Sequence, residues 1–191
     1  MENKNTAVLA GRLLSFSQGK SMNKGMIEVE RRSGVTDKLP FMTTKNLEGL
    51  EGSMLIMEGR LQTRNVIDKY GKSHKKTFVF VDEVYENKEN LFLNEISVEG
   101  FIVHKDELRD TPKGKTIVDI VLAVNGYDGS QYPSCIVWGS SAEQISKLPI
   151  GSSVAASGRF QSREYQKETS KGIKIKTAYE VSIGYIREEC V

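Results

Sequence analysis

Residues 58–64 read EGRLQTR, and residues 157–163 read SGRFQSR. The glycine, both arginines and the glutamine keep their places, while leucine becomes phenylalanine and threonine becomes serine. Upstream of these stretches, residues 5–11 (NTAVLAG) recur as residues 94–100 (NEISVEG). Because self-similar segments recur in the same order, the chain reads as two copies of one structural unit.

A third match extends the repeat beyond the EGRLQTR stretch. Lys76-Thr77 and Lys176-Thr177 are each followed by alternating apolar residues, and about ten residues are inserted early in the second copy. The duplication predicts two domains, residues 1–86 and residues 92–191. The short charged segment Glu86–Asn90 is the predicted linker between them.

Each copy contains five segments with the alternating or β-branched pattern of a strand. In the first copy the strands are predicted at Thr6–Phe16, Met26–Arg31, Leu39–Thr43, Met54–Val66 and Lys75–Tyr85. In the second copy they are predicted at Ile96–Ile102, Thr116–Val124, Tyr132–Trp138, Val154–Tyr165 and Lys174–Ile186, with a loop at Gln166–Gly172.

A short helix is predicted between the third and fourth strands of each copy, near Lys45–Leu50 and at Ala142–Leu148. In the second copy, the hydroxyl of Ser140 or Ser141 can cap the helix. Three strands, a helix and a two-stranded hairpin form the element order of a five-stranded OB barrel. The predicted fold is therefore all-β, with two five-stranded OB-fold barrels in tandem, each with a short helix between strands 3 and 4.

Composition limits the class of protein. The formal charge of the 191 residues is only +2, so any nucleic-acid site must arise from local placement of charge. No apolar run approaches the ~18 residues of a membrane span, and we expect a cytoplasmic protein without membrane contact. Cys135 and Cys190 differ in setting and form no CxxC, which argues against a disulfide framework or a zinc site.

Fragments that resemble catalytic motifs are incomplete. Three Gly-Lys-Ser/Thr fragments begin at Gly19, Gly71 and Gly114, but none has the earlier glycine that a phosphate-binding loop requires. His74 and His104 are far apart in the sequence and have no acid–nucleophile partners at a recognisable spacing. We therefore predict no enzymatic activity, no cofactor and no metal ion.

Aromatic and basic residues interleave in the second copy. The aromatic residues are Tyr127, Tyr132, Trp138 and Tyr165, and the basic ones include Lys113, Lys115, Arg159 and Arg163. In OB grooves, aromatic rings stack on bases and cations follow the phosphates of a single strand. Two parity arguments place the candidates: Tyr132 and Trp138 on one face of a strand, and Arg159, Gln161, Arg163 and Tyr165 on one face of the next. The alternative is that the rings belong to the core and the cations to a solvated face.

Four ordered segments of the second copy resemble the bacterial single-stranded DNA-binding protein family. They are LAVN at 122–125, CIVWG at 135–139, GRFQSREY at 158–165 and TAYEV at 177–181, and Arg109–Pro112 with Gly114 is also similar. The resemblance spans residues 94–186. It implies base stacking on Tyr127, Tyr132, Trp138 and Tyr165 and contacts to the strand from Arg109, Thr111, Lys113, Arg159, Gln161 and Arg163. It also implies four barrels around one strand, hence a homodimer of this two-barrel chain.

The first copy departs from this pattern. Val66 stands where the second copy has Tyr165, although Arg60 and Arg64 are available for phosphates. We expect the first copy to bind DNA weakly and to serve mainly structure or dimerisation. The chain also ends at Val191 without the acidic tail common in the family, so recruitment of partners by a tail is not expected.

Single-stranded DNA is thus the predicted partner, bound without sequence specificity. The first alternative is an accessory protein of the primosome type, whose barrel surfaces mainly bind other replication proteins. The second alternative is an enzyme, such as a nuclease or a ligase fragment. Metal-dependent cleavage of a labelled strand would distinguish that alternative from the binding proteins.

Overall fold

The computed structural model describes residues 4–68, 71–126, 129–169 and 172–189, and of residues 167–169 only the backbone. Within these ranges the chain forms twelve strands and one helix, which confirms the predicted all-β class. No helical segment of the described ranges has the length and apolarity that a membrane crossing requires.

Five strands form the first half of the molecule. They are β1 (Asn5–Ser17), β2 (Asn23–Glu30), β3 (Thr36–Thr43), β4 (Met54–Ile67) and β5 (Ser73–Glu86). β1 pairs with β2, β2 with β3, β3 with β5, β5 with β4, and β4 again with β1. The pairing closes on itself, antiparallel except between β3 and β5, and we call these strands the first ring.

The second half repeats this circuit. Its strands are β6 (Leu93–Lys105), β7 (Arg109–Asp110), β8 (Thr116–Gly126), β9 (Gly129–Gln131), β10 (Ser134–Trp138), β11 (Ser153–Thr169) and β12 (Gly172–Glu188). β6 pairs with β8, β8 with β10, β10 with β12, β12 with β11, and β11 with β6. These five strands are the second ring, and the short strands β7 and β9 pair with β8 outside the circuit.

The helix α1 (Ser140–Lys147) lies between β10 and β11. It begins after Gly139, whose φ of 60° suits glycine, and neither Ser140 nor Ser141 makes the predicted side-chain cap. Ala142 and Ile145 form its buried face.

The helix predicted near Lys45–Leu50 is wrong, since residues 44–53 form bends and turns. Two glycines explain this, because Gly49 and Gly52 adopt φ values of 82° and 88°, outside the helical region. The side chain of Asn46 adds a competing local bond, since its Oδ1 accepts from the Glu48 N–H at 3.1 Å.

Two boundaries in the second copy also need correction. β11 extends to Thr169 and β12 begins at Gly172, so the predicted loop Gln166–Gly172 is too long. The third strand of the ring begins at Ser134, so Tyr132 precedes the strand. Tyr132 and Trp138 therefore do not share a face of one strand, because only Trp138 lies on β10.

The two rings are joined by antiparallel pairing of β1 with β6. Asn5 lies opposite Val98, and Leu9 lies opposite Asn94. Exchanging the two copies of the repeat converts one of these pairs into the other, as a pseudo-twofold axis requires. The buried side chains of both rings form one apolar cluster, which includes the equivalent residues Leu61 and Phe160.

Candidate nucleic-acid interface

The predicted aromatic residues differ in how far they face solvent. Tyr132 is 43% exposed and Tyr165 is 38% exposed. Trp138, the last residue of β10, is half-buried, and its indole Nε1 donates a hydrogen bond of 3.0 Å to Ser182 Oγ on β12. Tyr127 lies outside the described residues. The open faces of Tyr132 and Tyr165 are available for stacking, while Trp138 is held by its hydrogen bond.

Arg163 brings a fixed positive charge close to Tyr165. Its Nε and Nη2 donate to the two carboxylate oxygens of Glu180 at 3.2 and 3.4 Å. The hydrogen bonds that Arg163 donates to Glu180 raise the pKa of the Arg163 guanidinium, which stays charged. The guanidinium carbon lies 6.0 Å from the centre of the Tyr165 ring, and the side chain is 54% exposed. A cation and an exposed ring therefore stand together at one end of β11.

Gln161 shares the strand parity of Arg163 but does not reach solvent. Its side chain is buried, and its amide donates to Glu180 Oε1 at 2.9 Å. Glu180, across the ladder on β12, is thus held by both side chains. The structure assigns Gln161 a supporting position, because it fixes the carboxylate that orients Arg163.

Arg159 lies deeper than Arg163. Its Nη2 approaches Gln161 Oε1 at 3.4 Å, and its buried Nε has no hydrogen-bond partner among the described residues. Burial lowers the pKa of the Arg159 guanidinium, and the nearby positive charge of Arg31 lowers it further. Arg159 therefore lies against the first ring and not on the open surface with Arg163.

The turn between β7 and β8 carries three more predicted residues. Arg109 forms an ion pair with Asp119 on β8. The hydroxyl of Thr111 accepts a bond from the Lys115 N–H at 3.1 Å, which closes the turn. Lys113 is exposed within that turn. Thr111 shapes the turn, while Lys113 presents a free surface charge.

The two arginines of the first ring also differ. Arg60 Nη1 donates to both carboxylate oxygens of Asp82 at 2.7 Å, and its guanidinium lies 4.5 Å from the centre of the Phe80 ring. Arg64, four positions further along β4, is exposed. Of the two, Arg64 is the cation that faces solvent most freely.

Contacts between the two rings were not predicted. On one side of the molecule, Thr63 N–H donates to Gln131 Oε1 at 2.7 Å. On the other side, Ser162 N–H donates to Asp37 Oδ1 at 2.8 Å. Thr63 and Ser162 occupy the same place in the repeated stretch. We call all contacts between the two rings, including the pairing of β1 with β6, the seam. The hydroxyl that Thr63 and Ser162 share at one place of the repeat is the sequence signal that could have indicated these contacts.

Asp37 is the most deeply buried charge of the seam. Its carboxylate receives two bonds of 2.6 Å from Arg31, and its side chain has no solvent exposure. The hydrogen bonds that Arg31 donates to Asp37 raise the pKa of the Arg31 guanidinium, which stays charged. This ion pair is on the surface that faces Arg159 and Ser162 of the second ring.

Comparison with known proteins gives a consistent result for the second ring. The model of the single-strand binding protein family matches residues 93–187. The single-stranded DNA-binding protein of Halalkalibacterium halodurans is 28% identical over 102 residues, which cover 49% of this chain and 61% of that protein. Single-stranded DNA-binding protein A of Bacillus subtilis is 26% identical over 102 residues, covering 49% of this chain and 59% of that protein. The chain thus spans about three fifths of the length of these curated relatives.

Among solved structures, the wild-type single-stranded DNA binding protein from Thermus aquaticus superposes with a TM-score of 0.78 at 18% identity. The match covers 100% of this chain and 95% of the Thermus chain, so both rings share its fold. A deletion mutant of the same protein gives a TM-score of 0.75. Over residues 93–187, about half of the chain, the sequence matches the single-strand binding protein family.

Proposed function

We propose that this protein binds single-stranded DNA without sequence specificity and acts as a binding protein, not as an enzyme. The observation that carries the proposal is the exposed Tyr165 ring beside the charged Arg163 guanidinium, within the segment that matches the family. Stacking accepts every base, because every base has a π-face. The curated relatives are named for the same ligand.

In the proposed mechanism, bases stack on Tyr132, Trp138 and Tyr165, and Tyr127 is proposed to extend this set. Arg163, Lys113 and Arg109 neutralise phosphates. The contacts are supported by hydrogen bonds within the protein from three further residues, Arg159, Gln161 and Thr111. Arg64 extends the basic surface onto the first ring, with Arg60 a weaker contributor because its side chain is less exposed.

The proposed architecture is two OB-type barrels in tandem, residues 1–86 and residues 92–191. The closed pairing of each ring and the shared repeat support it. We propose further that two chains associate, giving four barrels around one strand. A mass in light scattering equal to one chain would remove the dimer. We also predict a role in replication, recombination or repair. Binding of other replication proteins is the alternative prediction.

The experiment uses Trp138, the only tryptophan of the chain, as a fluorescent reporter. Oligo-dT should quench its emission, and duplex DNA of equal length should have little effect. The logarithm of affinity should fall with the logarithm of salt concentration by ~0.7 per phosphate contact. If emission and mobility of the protein do not respond to oligo-dT at low salt, the proposed function is wrong. A mobility shift without quenching would move the site away from Trp138.

A further inference from the structure

The peptide groups of Tyr132 are held by the first ring, although Tyr132 belongs to the second. Tyr132 N–H donates to Thr63 Oγ1 at 2.9 Å. Lys75 Nζ donates to Tyr132 O, also at 2.9 Å. Thr63 lies on β4, and Lys75 lies on β5 of the same hairpin. Both polar groups of the Tyr132 backbone are thus bound across the seam.

The neighbouring residue is bound in the same way. Gln131 Oε1 accepts from Thr63 N–H at 2.7 Å and from the Thr63 hydroxyl at 3.3 Å. Gln131 is the last residue of the short strand β9, and Tyr132 follows it on the connection to β10. β9 itself pairs with β8 outside the closed ring. The first ring therefore holds a connection that the second ring supports on one side.

On the other side of the seam, the contacts join the two rings without holding an exposed aromatic residue. There, Ser162 N–H and Oγ donate to Asp37 Oδ1 at 2.8 and 3.2 Å, which mirrors the Thr63–Gln131 contact. Arg31 supplies the additional bonds at that side. At the Thr63 side, the additional bonds end on Tyr132, a residue with a 43% exposed ring.

We propose that Thr63 and Lys75 are positioning residues for Tyr132, so that the first ring tunes the affinity of the second ring for single-stranded DNA. This inference rests on the proposed function. An exposed ring on a connection must be ordered when a base stacks on it, and ordering a backbone costs conformational entropy. Two bonds to the Tyr132 peptide groups fix that backbone before DNA arrives. The divergent first copy thereby contributes to binding without an aromatic platform of its own.

The test compares oligo-dT affinities of four variants with the wild type. Thr63→Val removes the hydroxyl, Lys75→Met removes the ammonium, and Thr63→Ser keeps the hydroxyl. Ser162→Ala is the matched control, since it removes the equivalent hydroxyl on the other side of the seam. We expect Thr63→Val and Lys75→Met to weaken binding by roughly 3- to 10-fold, because each removes one hydrogen bond to the Tyr132 backbone. Thr63→Ser and Ser162→Ala should bind within about 2-fold of the wild type.

A double-mutant cycle shows whether the effect passes through Tyr132. In a Tyr132→Ala background, Thr63→Val should cause no further loss of affinity. Losses that add in full would overturn the positioning role, because Thr63 would then act elsewhere. Lys75 is exposed, so Lys75→Met keeps the test valid if Thr63→Val fails to fold.

Amide exchange of the free protein provides a readout that does not depend on DNA. The Tyr132 N–H should exchange at least 5-fold faster in Thr63→Val than in the wild type, and at an unchanged rate in Ser162→Ala. An unchanged rate in Thr63→Val would overturn the proposal. If the wild type binds oligo-dT but Tyr132→Ala binds equally well, the positioning role falls while DNA binding stands. If the wild type does not bind oligo-dT, both proposals fall.

Discussion

Arg159 and Arg163 share one strand, one parity and one residue type, yet their surroundings differ. Arg163 is half-exposed beside Tyr165, while Arg159 is less exposed and its Nε is buried. Gln161 lies between them and is buried with Glu180. Parity along a strand gives the side of the sheet on which a side chain lies. Its exposure depends on what packs against that side, which parity cannot supply.

We predict the effect of removing each exposed tyrosine side chain of the candidate site. Tyr132→Ala and Tyr165→Ala should each weaken oligo-dT binding by about 1–3 kcal/mol, because each removes one stacking surface. Isothermal titration calorimetry at fixed salt measures the change. Tyr185, an exposed tyrosine of β12 outside the predicted set, is the control, and Tyr185→Ala should leave affinity unchanged. Equal losses in all three variants would show that the tyrosines act on the fold and not on the ligand.

On β4 and β11, the repeated stretch places a glycine, an apolar residue and a hydroxyl residue in the same order. Each copy has a β-bulge at its glycine, Gly59 on β4 and Gly158 on β11. The apolar residue two positions later, Leu61 or Phe160, is fully buried in the core. The hydroxyl residue two positions further, Thr63 or Ser162, bonds the opposite ring. One seven-residue pattern therefore specifies a bulge, a core contact and a seam contact in turn.

The bulge glycines are required for steric reasons. A Cβ added at Gly158 would lie 2.1 Å from Ser182 O and 2.9 Å from Ile183 Cα, both backbone atoms. Gly158→Ala should therefore destabilise the protein by about 3 kcal/mol, since the strands must separate to admit the methyl group. Gly184→Ala is a control on β12, because a Cβ there meets no atom within 4 Å. Its effect on the free energy of unfolding, measured by urea denaturation, should stay within ~0.5 kcal/mol. Similar midpoints for the two variants would contradict the steric argument.

For the whole molecule, the seam makes the two rings one structural unit. β1 and β6 pair across it, and buried side chains of both rings form a continuous apolar cluster. Asp37 adds a charge without solvent exposure, paired with Arg31 and bonded to Ser162 of the second ring. We therefore expect urea to unfold both rings in one transition, because neither ring can open without exposing part of the shared core.

Asp37→Asn tests the energetic weight of the seam. Loss of the carboxylate charge leaves Arg31 and Arg159 close together and partly buried, so we expect a loss of roughly 2–3 kcal/mol in the free energy of unfolding. Asp82→Asn is the matched control, since the Arg60–Asp82 pair also has two short hydrogen bonds but its carboxylate is exposed. It should cost about 0.5 kcal/mol. Urea unfolding with an unchanged m-value measures both. A larger loss for Asp82→Asn would refute this ranking.

The sequence by itself determined the duplication, the all-β class, and the core strands of each copy to within a few residues. These features depend on alternation and on turn residues, which act over a few neighbouring positions. Gly49 and Gly52 are also local features of the sequence. Their positive φ values form turns where a helix was predicted near Lys45–Leu50. The tertiary structure alone decided which side chains of β11 are buried, how Thr63 and Lys75 hold Tyr132, and where Asp37 lies. Burial and contacts between the rings depend on residues 57 to 125 positions apart, as in Lys75–Tyr132 and Asp37–Ser162, and no local pattern records them.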